Sequence, residues 1–462
     1  MQTPIYDFVR QYNRDSYSRL HMPGHKGVGP LGCECLDITE ITGADSLFEA
    51  DGIIRKSEEN AASLFGSAMT LYSTEGSSLC VRAMLYLVLL NNGGTSVPVI
   101  AAGRNAHASF IKTAALLGFR IDWLFDEDES GEFSLCRARV TERGLEKYLS
   151  DAVKAKRELP CAIYITSPDY LGNVADISGL SVTAHRYGIP LIVDNAHGAY
   201  RRFLKADGHP ITLGADMCCD SAHKTLPVLT GGAYLHISAN APALYIKQAR
   251  RAMSLFASTS PSYLIMESLD LANAYLADGF TEKLDKVIIQ ADECKKQIMD
   301  MGFDVCESDE CRITVETIKK GITGNQMLKL LMENKVMCEY ADPDYVVLMF
   351  TAQTCEKDFE RIIKAFYVNR NYGGRIAERP ELSLLHPQVR YMPHELLFVA
   401  GKDVNVDESE GKILCAPAVS CPPAVSVVVS GEVISAQAVK IFKYYGINTV
   451  NVCDEMKTDS VL

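Results

Sequence analysis

The chain has 462 residues, 47% hydrophobic and 23% charged, a globular balance that excludes a disordered chain and exceeds what one simple core needs. Its net charge is −12 and no Lys/Arg-rich run occurs, which argues against a nucleic-acid partner. The longest apolar stretches, such as 83–90, are too short for a bilayer, and the first residues lack a basic segment followed by an apolar one, so neither a membrane span nor a secretory signal is expected and the expected compartment is the cytoplasm.

Residues 1–60 read as an irregular, glycine-rich arm that must pack on a larger body or on a partner subunit. From about residue 60, helical and strand-like segments alternate. The pattern predicts a helix over 79–90, a strand over 97–102, a helix over 109–118, a strand over 120–125 and a helix over 142–156. Strand-length apolar runs follow at 161–166, 190–194, 215–220 and 232–236, with a helix over 178–187. Short apolar strands alternating with helices predict an α/β fold with a mostly parallel sheet covered on both faces, and such sheets bind ligands at the carboxyl ends of their strands. Residues 261–301 read as largely helical, and 302–370 as strand, helix, strand, helix. Asn371-Tyr372-Gly373-Gly374 reads as a linker, followed by a strand over 425–429, a helix over 436–445 and a strand over 449–452. This divides the chain into an arm (1–60), a large domain (61–280), a smaller α/β domain (281–370) and a C-terminal domain (371–462).

The 15 cysteines are scattered without a Cys-x-x-Cys pair, which fits reduced thiols better than a disulfide framework. No metal is expected. Cys33/Cys35 and Cys415/Cys421 lack a matching His/Cys set, and Pro23 and Gly24 between His21 and His25 disfavour the helix that such spacing would need. Gly-x-Ser-x-Gly and Walker-type loops do not occur. Asn91-Asn92-Gly93-Gly94 is a turn signal.

Five constellations carry chemistry. Ser221-Ala222-His223-Lys224-Thr225 follows the 215–220 run. A lysine at the end of a buried strand is costly unless its charge is paired or removed, and condensation with an aldehyde cofactor removes it; the plain alternative is a solvated lysine. Asp194, at the end of the 190–194 run, would keep a pyridine nitrogen protonated, or would simply cap a turn. Ser73-Thr74-Glu75-Gly76-Ser77-Ser78 opens the 79–90 helix, which suits a phosphate cup or ordinary capping. Glu75 would repel a phosphate, so its side chain is expected to point away. Arg104-Asn105-Ala106-His107 follows a strand, where the imidazole could stack on a flat ring. Ser258-Thr259-Ser260-Pro261-Ser262-Tyr263 is a second hydroxyl cluster opening a helix.

In this order the residues resemble the bacterial Orn/Lys/Arg decarboxylases, pyridoxal 5'-phosphate (PLP) enzymes of fold type I, the aspartate-aminotransferase-like fold. The matching stretches are His21-Met22-Pro23-Gly24-His25-Lys26-Gly27, Arg104 to His107, Ser167-Pro168-Asp169-Tyr170-Leu171-Gly172, Asp194-Asn195-Ala196-His197-Gly198, Ser221-Ala222-His223-Lys224-Thr225-Leu226 and Ser258 to Tyr263. The resemblance implies that Lys224 bonds the cofactor, Asp194 pairs with its ring nitrogen and His107 stacks on the ring. Ala196 and His197 would lie along it. Gly76, Ser77, Ser78, Ser221 and His223 would hold the phosphate, with Ser258 or Thr259 reaching it from a second subunit. His223 or Lys224 would return the proton after decarboxylation of a cationic amino acid (arginine, lysine or ornithine) to an amine of polyamine metabolism. The resemblance also implies a homodimer or larger homo-oligomer with its active site at the interface, and a short form without the receiver-like domain of longer members.

The chain departs from the family pattern at Asn195, where an acidic residue is usual. It departs also at Ala108, where lysine is common, at Glu75, and in the C-terminal segment at Ala424 and Ser430. Two other readings remain: a PLP-dependent aminotransferase or lyase of the same fold, and a non-catalytic PLP-binding relative. Glu40, Asp45, Glu49 and Asp51 are candidates to read the substrate's distal cation.

Overall fold

A strand buried on both faces needs an apolar run without alternation, and the central strands have this. In the computed structural model, which describes residues 1–93, 96–124, 133–134, 140–374, 383–384, 387–420 and 425–454, the strands of the main sheet are β1 (Met69–Ser73), β2 (Val99–Gly103), β3 (Arg120–Leu124), β4 (Ala162–Thr166), β5 (Leu191–Asp194), β6 (Met217–Asp220) and β7 (Ala233–Ile237). They form a seven-stranded sheet in the order β1-β7-β6-β5-β4-β2-β3. Every residue of β2, β5, β6 and β7 is buried. β2 pairs with β3, and β5 with β6, in parallel. β7 reverses and pairs antiparallel with β6 and with β1. The expected mostly parallel sheet thus carries an antiparallel edge, whose outer strand, β1 (Met-Thr-Leu-Tyr-Ser), is too mixed in polarity to announce itself.

The arm differs from its expectation. Two helices, Pro4–Arg14 and Ile53–Phe65, bracket it. Their ends are satisfied by carboxylates that lie outside the helices. The Asp270 carboxylate accepts the N–H groups of Ile5 at 2.9 Å and Tyr6 at 3.0 Å. Asp45 accepts those of Gly52 at 2.8 Å and Ile54 at 3.0 Å. Caps supplied by remote residues leave no local signature, and the glycines between the helices hid their periodicity.

The chain divides into two compact units, one of Met1–Gly94, Cys161–Ile163 and Ile177–Glu282, the other of Thr95–Pro160, Tyr164–Asp176 and Lys283–Leu462. The helical region of the first includes Tyr263–Leu276. The second holds an antiparallel sheet of β8 (Asp304–Cys306), β9 (Arg312–Glu316), β10 (Tyr340–Ala341) and β11 (Tyr345–Met349), in the order β10-β11-β9-β8. Ile313, Val315 and Val346 of this sheet share one core with Met327, Phe359 and Phe366 of the helices Gly324–Glu333 and Glu356–Val368. The sequence predicts two strands here; the other two are only two and three residues long and show no alternation. A further core gathers Val427, Val428, Ile434, Ile441, Phe442 and Val450 in the C-terminal segment. Gly94, Phe125 and the stretch Cys421-Pro422-Pro423-Ala424, all used in the sequence reading, lie outside the described residues. Among the described residues no helix is long and apolar enough to cross a membrane.

Candidate active site

In the first unit, three strand ends deliver polar groups. β1 leads into the helix Ser77–Asn92 through Gly76, which has φ 72° and serves as N-cap without a side-chain cap. A left-handed φ suits glycine, and a Cβ there would meet nothing within 4 Å. A helix N-terminus without a side-chain cap is the kind of site that can hold an anion. Gly76 is pinned by its N–H to Gly231 O at 2.7 Å. Ser73 Oγ donates to Gly76 O at 2.9 Å and accepts the Glu75 N–H at 3.1 Å.

β6 runs straight into Ser221 and the short helix Ala222–Thr225. Ser221 Oγ donates to Ser77 Oγ at 2.7 Å, joining the lysine segment to the glycine turn. His223 Nδ1 lies 3.0 Å from Gly232 O. A carbonyl only accepts, so Nδ1 carries the hydrogen and Nε2 is left as the basic nitrogen. Lys224 is half-buried, and its Nζ lies 3.0 Å from His197 Nε2. β5 ends in Asp194, which is 3% exposed. Its Oδ1 accepts the Ala196 N–H at 3.2 Å and the Cys219 thiol at 3.6 Å.

The expected residues divide as follows. Ser77 meets Ser221, and Lys224 meets His197. Glu75 turns to the second hydroxyl cluster, accepting the Ser258 N–H at 2.7 Å, which accounts for a carboxylate beside a candidate phosphate turn. Ser258 and Thr259 are exposed. His107 belongs to the second unit, where it caps the helix Ala108–Leu117 by accepting the Ser109 N–H at 3.2 Å, with its side chain exposed. Asp45, one candidate for the distal cation, is buried and committed to the cap of Ile53–Phe65.

Sequence reasoning missed the network behind these groups. Asp220 is fully buried. Its Oδ1 accepts from Asn195 Nδ2 at 2.6 Å, and its Oδ2 lies 3.1 Å from His209 Nε2 and 3.3 Å from His236 Nε2. Burial works to raise this carboxyl, but the two imidazoles outweigh it and hold the group well below the usual carboxylate range. One signal was available: an aspartate closing the apolar run 215–220. His209, Cys218 and Asp220 also offer ligand atoms within 4.8 Å of one another. Asn195 and His209 already engage both oxygens of Asp220, so the set is accounted for by hydrogen bonds.

The donor set matches PLP chemically. An uncapped helix N-terminus with paired hydroxyls suits its phosphate, a buried strand-end carboxylate suits a protonated ring nitrogen, and a half-buried amine suits its aldehyde. The model of the Orn/Lys/Arg decarboxylase major domain matches residues 3–315. The chain belongs to the Orn/Lys/Arg decarboxylase family.

Relatives of this family match along nearly the whole chain. An uncharacterized protein of Bacillus subtilis, YaaO, is 27% identical over 95% of this chain and 93% of its own. An arginine decarboxylase of the same organism is 24% identical over 96% of this chain and 93% of its own. In structure, the lysine decarboxylase LdcF of Francisella novicida superposes with a TM-score of 0.80 at 16% identity, covering 98% of this chain and 81% of that one. The fold is therefore the fold-type-I α/β architecture expected from the sequence.

Proposed function

We propose that this chain is a PLP-dependent decarboxylase that converts arginine, lysine or ornithine to the corresponding amine, feeding polyamine formation. The observation that carries the reading is the union of Ser77 with Ser221 at 2.7 Å and of Lys224 with His197 at 3.0 Å on neighbouring strand ends. Family membership and the arginine decarboxylase relatives support the basic substrate.

In this reading Ser77, Ser221 and the first-turn N–H groups of Ser77–Asn92 would hold the phosphate. Asp194 would hold the ring-nitrogen proton, and His107 would stack on the ring. PLP, when bound, supplies the sink for the electrons released as the carboxylate leaves. The protein orients the groups and manages protons. His197 steadies Lys224 Nζ and shares its proton. Lys224, or His223 once its Nε2 has taken up a proton, would return a proton to the substrate carbon. The active protein would be a cytoplasmic homodimer with the site at its interface.

The test is an assay of the PLP-loaded protein against the three amino acids. We expect CO₂ and the matching amine from one of them. A keto acid instead would make the chain an aminotransferase, and no reaction with any of the three would remove the basic-substrate assignment. Lys224→Ala should abolish the visible absorbance of lysine-bound PLP and cut turnover on the order of a thousandfold. An unchanged band would move the cofactor to another lysine.

A further inference from the structure

Asn195 stands where the family usually has an acid, and its contacts explain the exchange. Its backbone N–H donates to Cys219 O at 3.0 Å, extending the parallel β5–β6 ladder one residue beyond Asp194. Its side-chain amide donates to Asp220 Oδ1 at 2.6 Å. Its carbonyl accepts the Gly198 N–H at 2.8 Å and so closes the 195–198 turn, which sets His197 against Lys224. Asn195 thereby fixes the residue before it, Asp194, and the turn after it.

Asp220 does the same on the facing strand. It immediately precedes Ser221, whose hydroxyl reaches Ser77. Its Oδ2 rests against His209 and His236, and His236 Nδ1 lies 2.8 Å from Thr70 Oγ1 of β1. One carboxylate thus links three strand segments of the candidate site. With Asp220 present, an acid at position 195 would set two carboxylates in direct contact in a dry interior, forcing one to take a proton or the strand ends to part.

We propose that Asn195 and Asp220 are a positioning pair for the cofactor site: the neutral amide at 195 and the anion at 220 hold Asp194, His197 and Ser221 in register, with the charge carried on the 220 side. The proposal rests on the PLP reading of this site. It concerns residues that act through the cofactor-binding groups, not residues that touch the reacting atoms.

The test is a charge swap in the full-length protein: wild type, Asn195→Asp, Asp220→Asn and the double variant N195D/D220N. The readouts are PLP affinity of the apoprotein, the pH midpoint of the visible PLP band and the melting temperature. We expect Asn195→Asp to weaken PLP binding by about 10- to 100-fold and Asp220→Asn by about tenfold. The swap should recover affinity to within about fivefold of wild type, and should displace the pH midpoint because the carboxylate then adjoins Asp194. A swap no better than Asn195→Asp overturns the pairing. So do single variants that lower the melting temperature but keep wild-type affinity and midpoint, since that pattern belongs to a purely structural contact. If Asn195→Asp does not fold, the near-isosteric Asp220→Asn decides alone, and unchanged affinity in it is negative. A wild type that takes up no PLP would instead sink the cofactor reading itself.

Discussion

Two buried carboxylates, one in each unit, are held by different kinds of partner. Glu432, in the second unit, faces Arg104, and both are 1% exposed. The pair is bidentate, with Nη1 to Oε1 and Nη2 to Oε2 both at 2.7 Å. Arg104 also donates to Ser426 O at 2.8 Å and Val427 O at 3.0 Å, its guanidinium lies 4.7 Å from the Trp123 ring centre, and Glu432 Oε2 accepts the Val429 N–H at 2.8 Å. Asp220, in the first unit, meets an amide and two imidazoles instead. A guanidinium cancels the charge it binds, as a rivet should. An amide and two imidazoles share a carboxylate among three separate partners. The difference separates a pair that ties the Arg104 loop to the C-terminal segment from a network that joins strand ends beside a candidate cofactor site.

The comparison is most easily broken at Glu432. Glu432→Ala leaves a guanidinium buried without its counter-ion and should cost about 3–5 kcal/mol in denaturant unfolding. The apolar double variant R104M/E432L should lose far less, because removing both charges also removes their desolvation penalty. Equal losses would show that Arg104 is hydrated or re-paired in solution. A smaller effect is expected at His209. His209→Phe keeps a ring beside Phe65 but removes one donor from Asp220, and should cost about 1–3 kcal/mol. Wild-type stability in that variant would mean that Asn195 and His236 suffice.

The smallest effect concerns a third buried acid, which has neither kind of partner. Glu267 is 3% exposed, and both its carboxylate oxygens lack hydrogen-bond partners among the described residues. Burial pushes its pKa from 4.5 up to about 8, helped by the charges of Asp270 and Asp37. The folded state therefore holds a proton that the unfolded chain has already lost, so this group lowers stability as pH rises from about 5 to about 8. Glu267→Gln should flatten that decline, with a melting temperature about 2 °C above wild type at pH 8.5 and little changed at pH 5.5. Parallel pH profiles would show that the carboxylate finds a partner in solution.

The legible parts of the molecule were those whose cause is local. Six strand-length runs and their glycine punctuation carry the α/β sheet, because a two-faced strand must be apolar throughout. Six of the seven main strands could be placed to within a few residues; β1 could not, since its edge position came from pairing with β7. Ser77, Asp194, Ser221 and Lys224 stood out as polar residues at strand ends, where such folds bind ligands. The arm helices did not: Asp270 caps the first from 265 positions away, and Asp45 caps the second across a glycine-containing loop.

What the sequence determined by itself is therefore the class of fold, the family, and the roster of groups that suit PLP, all written in composition, period and motif order. Only the tertiary structure decided which of them meet: that His197 lies against Lys224, that Glu75 turns to Ser258, and that Asn195 answers Asp220. Hydrogen bonds of this kind join residues 25 to 183 positions apart. Their geometry is set by strand order and register, which a one-dimensional pattern does not encode.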